Sequence, residues 1–215
     1  MDNCLKPTFF WDSNHPDIIA FAHKHTQDCH TDQERAIALY LAVRDGLIYD
    51  PYLTDLLPQN ARASVALQRG RGHCIAKGQV LAAAARAVGI PSKMGFANVR
   101  NHLATEKFIQ ILKTDIFAFH GYVCLFLDGK WVKATPAFNR TLCEKFGVEP
   151  LDFDGKIDSL FQEFDSQKRR YMEYICYHGE FDDMPFERFI TEMNKIYPHL
   201  VEYWTSEAQK EQILI

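Results

Sequence analysis

The chain has 215 residues, 47% of them hydrophobic and 24% charged, with a formal net charge of −4. This is an ordinary globular composition, long enough to bury a single core. No stripe of Lys and Arg favours a nucleic acid, and no apolar run is long enough for a membrane span.

In chain order, Asn14-His15-Pro16-Asp17 predicts a helix start, with Pro16 near the first helical position. Thr31-Asp32-Gln33-Glu34 reads as a capping box, with Ile37, Tyr40 and Leu41 on one face behind it and Asp45-Gly46 as the stop. A third helix is expected over much of 61–69. A fourth runs over 74–88, where Val80, Leu81, Ala84, Ala85 and Val88 form a stripe and Gly89-Ile90-Pro91 ends it. Small residues along it, Gly78 and 82–85, allow another element to pack close. Strands follow at 94–99, 117–127 and 130–135, the last two joined by Asp128-Gly129, which supports a type I′ hairpin turn. A loop at 147–156 precedes helical patterns near 157–170 and 185–197, the second closed by Pro198. No repeat, linker or low-complexity tract divides the chain.

The opening residues show no charged segment followed by an apolar one, so no signal peptide is expected. The cysteines at 4, 29, 74, 124, 143 and 176 are sparse and irregular. They fit reduced thiols in a cytoplasm better than a disulfide scaffold.

The chemistry centres on Gly70-Arg71-Gly72-His73-Cys74. Cys74 falls at a helix start behind a glycine-rich turn, where the helix dipole and free N–H groups are expected to favour thiolate. His120 opens a strand segment that is able to face it, the layout of a thiol nucleophile with its base. The Asp128-Gly129 turn pairs Leu127 with Lys130 and, counting back, Tyr122 with Thr135 and His120 with Ala137. His120, Tyr122, Cys124 and Phe126 then share a face with Trp131, Lys133, Thr135, Ala137 and Asn139. Thr135 and Asn139 are the diagonal neighbours of His120, roughly 7–8 Å away.

Gly72-His73-Cys74, the helix to Gly89-Ile90-Pro91, and His120-Gly121-Tyr122 ahead of Leu127-Asp128-Gly129-Lys130-Trp131-Val132 resemble the core of the transglutaminase-like superfamily over about residues 60–140. The resemblance implies an α+β, papain-like fold in which a central helix carrying Cys74 packs on an antiparallel sheet. One domain over 1–215 is expected, with a helical flank over 1–60 and a mixed extension over 141–215. It also implies acyl transfer through a Cys74 thioester with His120 as base, acting on a peptide, protein or amide without cofactor or metal, hydrolysis being favoured over amine cross-linking. The family's third residue, an Asp, aligns with Thr135, which carries no charge. Asn139 is the alternative orienter. A silent binding module and a thiol acyltransferase using a small acyl donor stay open.

Other candidates have blander readings. Gln68 has the spacing of an oxyanion-hole Gln but reads better as a solvated helix residue, and Lys77, one turn after Cys74, reads as solvated too. The group His23, His25, Cys29 and His30 matches no zinc spacing. Asp152, Asp154 and Asp158 lack the closing Glu of a calcium loop. His102 is a spare candidate base.

Overall fold

The structure is a computed structural model, and it describes residues 2–54, 56–102, 104, 106–161 and 172–213. Its helices are α1 (Pro16–Thr26), α2 (Asp32–Gly46), α3 (Ala63–Arg69), α4 (Cys74–Ala87), α5 (Glu106–Leu112), α6 (Arg140–Phe146), α7 (Phe186–Ile196) and α8 (Pro198–Ile213). Its strands are β1 (Ile48–Tyr49), β2 (Arg71–Gly72), β3 (Ser92–Asn101), β4 (Ile116–Leu127), β5 (Lys130–Ala134) and β6 (Met172–Phe181). Strands β5-β4-β3-β6 form an antiparallel sheet in that order, and β1 pairs with β2 in parallel.

Helix α4 lies at the centre, packed on α1, α2 and α3 and on β3 and β4. Every residue from Ile75 to Arg86 is buried, so the helix is enclosed on all sides instead of presenting a single stripe. Small residues make that possible. A Cβ at Gly78 would lie 2.5 Å from Met94 Cε, and one at Gly121 of β4 would lie 3.3 Å from Ile75 Cγ1. Gly89 (φ +84) then ends the helix, with its N–H on Arg86 O and Ile90 N–H on Ala85 O.

The capping box is formed: Thr31 Oγ1 accepts from Glu34 N–H at 3.1 Å, and the Glu34 carboxylate accepts from Thr31 N–H at 3.0 Å. The buried face of α2 is Ala36, Leu39, Tyr40 and Val43, and Leu41 is 39% exposed instead. The hairpin has the expected register, Leu127 opposite Lys130 and Phe126 opposite Trp131. Its ladder stops at Ala134, so the expected pairings of Tyr122 with Thr135 and of His120 with Ala137 lie beyond it.

Two segments depart from expectation. Pro198 opens α8, its ring occupying the first position, where no helical N–H is needed. Strand β6 was not legible, and the helix expected near 157–170 is absent over 157–161, the remainder lying outside the described residues.

Strand β4 carries a bulge just before His120. Ala97 pairs with His120 but Val99 pairs with Phe117, so Asn98 opposes two residues. Phe119 has φ +54, a left-handed conformation that a bulky side chain rarely adopts. Asn98 Oδ1 holds it by accepting from Phe119 N–H at 2.9 Å, and it also lies 2.9 Å from His178 Nε2.

Candidate active site

Cys74 is the first residue of α4, and His73 before it is the N-cap. His73 Nδ1 accepts from the N–H groups of Ile75 (3.1 Å) and Ala76 (3.3 Å). The helix-start amides expected to be free are therefore partly taken by the neighbouring imidazole. Cys74 Sγ is approached by the N–H groups of Gly121, Ile75 and Cys74 itself. Gly121 has no side chain, which lets the start of α4 rest on β4 beside His120.

Cys74 and His120 line one cavity with His73. Its walls come from β4 (Phe117, Ala118), α5 (Phe108, Leu112), α7 (Phe189, Met193), the α7–α8 corner (Tyr197) and α8 (Trp204). Tyr197 locks that corner to the sheet, its hydroxyl donating to Ile116 O and accepting from Ala118 N–H at 2.8 Å.

Burial dominates the electrostatics. It pushes the Cys74 thiol up to about 11, against the lowering effect of the three backbone N–H groups. Burial thus works against the expected thiolate, because desolvation penalises the charged form more than the amides stabilise it. Burial also pushes His120 down to about 3, with His73 adding to the effect. The resting pair is a neutral thiol and a neutral imidazole.

His120 is held by aromatic contacts. Phe161 stacks on it at 4.5 Å between centroids, Phe138 stacks on Phe161 at 5.0 Å, and Tyr174 meets its edge at 6.2 Å. His120 Nε2, Thr135 Oγ1 and Tyr174 Oη are all buried without a hydrogen bond among the described residues. The Tyr174 hydroxyl lies toward Thr135 and the Phe161 backbone, and burial raises its pKa, so it stays neutral. Tyr174 therefore sits against both His120 and Thr135. Its partner on β3 is Val99, the residue where the bulge ends.

The remaining candidates lie elsewhere. Asn139 Oδ1 accepts from Tyr49 N–H at 3.1 Å and its Nδ2 donates to Thr141 Oγ1 at 2.6 Å, so both ends are committed away from His120. Lys77 is fully buried instead of solvated, its ammonium donating to Arg44 O (2.8 Å) and Leu47 O (2.7 Å) at the end of α2. Burial brings its pKa down to about 7. Gln68 is exposed and donates to Asp17 at 2.7 Å. His102 pairs with Glu173 at 2.9 Å. Among the described residues no group of His, Cys, Asp and Glu is arranged to hold a metal ion. Asp152 bonds Arg44, Asp154 accepts from two turn amides, and Asp158 accepts from Lys133 N–H.

Sequence reasoning missed His73, Phe161 and Tyr174. The Ser/Thr/Asx bias for N-caps hides a capping His. Both aromatics look like core residues until distant segments fold against β4. No helix of the described residues is long and apolar enough to cross a membrane.

Comparison with known proteins gives the family. No curated protein matches the chain. A protein from Cytophaga hutchinsonii described as a putative cysteine protease is similar at 13% identity and a TM-score of 0.49, over 82% of this chain and 52% of that one. A putative protease from Parabacteroides distasonis ATCC 8503 is similar at 20% identity and a TM-score of 0.39, over 55% of this chain and 23% of that one. The chain thus spans about half of the first protein and under a quarter of the second. The sequence profile of the transglutaminase-like superfamily matches residues 19–136, from α1 through the hairpin that follows Cys74 and His120, and the chain belongs to that superfamily.

Proposed function

We propose that the protein is a thiol-dependent acyl-transfer enzyme acting on a peptide or other amide, with hydrolysis as the outcome. The observation that carries this reading is that Cys74 and His120 open on one cavity, with Gly121 N–H directed at the Cys74 sulfur. Cys74 is the nucleophile, His120 the base, and Thr135 with Tyr174 behind it the orienting pair. The Cys74 N–H is the oxyanion donor.

Because both reacting groups rest neutral, the thiol proton moves as the bond forms. Cys74 Sγ attacks the carbonyl carbon while His120 takes the Sγ proton, giving a tetrahedral oxyanion held by backbone N–H. Collapse breaks the C–N bond, and the leaving amine takes the proton from His120. Water then attacks the thioester carbon, giving a proton to His120; the C–S bond breaks, Cys74 sulfur takes that proton back from His120, and a carboxylic acid is released. Every step uses this chain's own groups. The six unpaired cysteines support a reducing, cytoplasmic setting.

A second reading is favoured by one specific observation. A site with Thr135 in place of a carboxylate, a raised thiol and a depressed imidazole is poorly equipped to form an ion pair, as in a silent binding module. A mixture of peptides and amide esters incubated with the protein and with Cys74→Ala separates the two. Cys74-dependent release of acid, with a thioester trapped on Cys74 by mass spectrometry, supports the enzyme. Equal behaviour of both proteins across the mixture selects the binding module.

A further inference from the structure

We infer that the cavity selects an uncharged, apolar acyl group with an aromatic or long aliphatic tail. The inference rests on the reading of Cys74 as the nucleophile and names the substrate class of that site.

The first support is charge. Among the described residues lining the cavity there is no Asp, Glu, Lys or Arg. Its titratable side chains include Cys74 and His120, both kept neutral by burial. His73 accepts two helix amides at Nδ1, so its ring is held in the neutral form. A carboxylate or ammonium on the acyl tail would leave water and meet no counter-charge among the described lining residues, which costs desolvation energy.

The second support is shape and chemistry of the walls. Phe108, Phe117, Phe189, Met193 and Trp204 line it, contributed by four separate elements. Phe138 and Phe161 line it too, Phe161 being stacked on both Phe138 and His120. An aromatic and thioether lining accepts a flat ring or an extended chain through dispersion contacts, and Met193 adapts to either. The hydroxyl of Tyr197 is committed to the β4 backbone, so this wall offers its ring to the ligand. The tail comes either from a peptide residue such as Phe or Leu or from a small aryl or fatty acyl ester, which share this chemistry.

The test measures the cavity separately from turnover. Three iodoacetamides differing only in the amide substituent, 2-phenylethyl, 2-carboxyethyl and 2-aminoethyl, are used to alkylate the protein, with Cys74 modification followed by mass spectrometry. Each rate is divided by that for glutathione. The phenylethyl reagent is expected to lead both charged reagents by about tenfold or more, the consequence of desolvating an unpaired charge. Trp204→Lys, at a half-buried wall position, is expected to raise the carboxyethyl rate selectively. Three rates that simply track glutathione, or a Trp204→Lys protein whose carboxyethyl rate does not rise relative to the other two, overturn the inference. In parallel, 4-nitrophenyl 3-phenylpropanoate and acyl-Phe aminomethylcoumarin distinguish the two sources of the tail. Absence of Cys74-dependent turnover on both defeats the acyl-transfer reading, while the alkylation order still decides the cavity's preference.

Discussion

Phe161 lies nearly flat on His120, with 4.5 Å between ring centroids and 28° between planes. The imidazole is thereby positioned by a ring face, and its buried Nε2 lacks a hydrogen bond among the described residues. Phe161→Ala would admit water and relieve the burial that depresses His120. Histidine titration by NMR is expected to show the His120 pKa rising from about 3 toward the ordinary imidazole value. A His120 resonance that titrates unchanged would show that Phe161 does not set its environment.

Restoring the family's carboxylate acts on the same ring. Thr135→Asp places a negative charge near His120 and is expected to raise its pKa and turnover together. Thr135 Oγ1 is unpaired at rest among the described residues, so Thr135→Ala is expected to leave the melting profile unchanged and to lower turnover about fivefold to tenfold, the worth of one neutral hydrogen bond made to the ring only during turnover. Tyr174→Phe should behave like Thr135→Ala, and their double variant should lose little more than either single one. Asn139→Ala should cost stability through its lost bonds to Tyr49 and Thr141 while leaving the pH profile in place.

The thiol gives a third measurement. With burial holding Cys74 up to about 11, its iodoacetamide rate should climb steadily through pH 9 to 11. Exposed Cys176 should be alkylated faster than Cys74 at neutral pH. A Cys74 rate already at its plateau near pH 7 would falsify the neutral resting pair.

Acid stability follows from His120. Above pH 6.5 the ring is neutral whether the chain is folded or unfolded, so it adds no pH dependence. Below 6.5 the unfolded chain takes a proton that the folded ring refuses until about pH 3. Stability should therefore fall as pH drops across that window, since the unfolded state binds more protons. Urea midpoints measured from pH 7 to 3.5 are expected to fall less steeply for His120→Phe than for the parent. Parallel slopes for the two proteins would remove His120 as a source of acid sensitivity.

What the sequence made legible was local. Asp128-Gly129 set the hairpin register, Gly89-Ile90-Pro91 ended the central helix, and Thr31 with Glu34 declared a cap, because each signal works through residues a few positions apart. Cys74 and His120 were legible through their place in these units. The sign of their pKa shifts was not, since it depends on walls supplied by α5, α7 and α8. Thr135 was reached by counting from the hairpin, but Tyr174 and Phe161 were not: Tyr174 comes to His120 through the pairing of β6 with β3, and Phe161 from a segment outside the strands. Lys77 was read as solvated and is buried for the same reason: it turns toward backbone carbonyls at the C-terminal end of α2.

The bulge at Phe119 divides β4 into two stretches whose side-chain alternation is out of step. Residues from His120 onward keep phase with the hairpin, while Phe117 and Ala118 are phased by Asn98 and face the cavity. The bulge therefore sets the phase of the wall at Phe117 separately from the phase of His120, which the hairpin fixes. A substitution at Phe117 that keeps the Asn98 clasp on Phe119 N–H is expected to reshape the wall with His120 still in place, and deleting one residue at the bulge is expected to turn the wall while the base stays where the hairpin holds it.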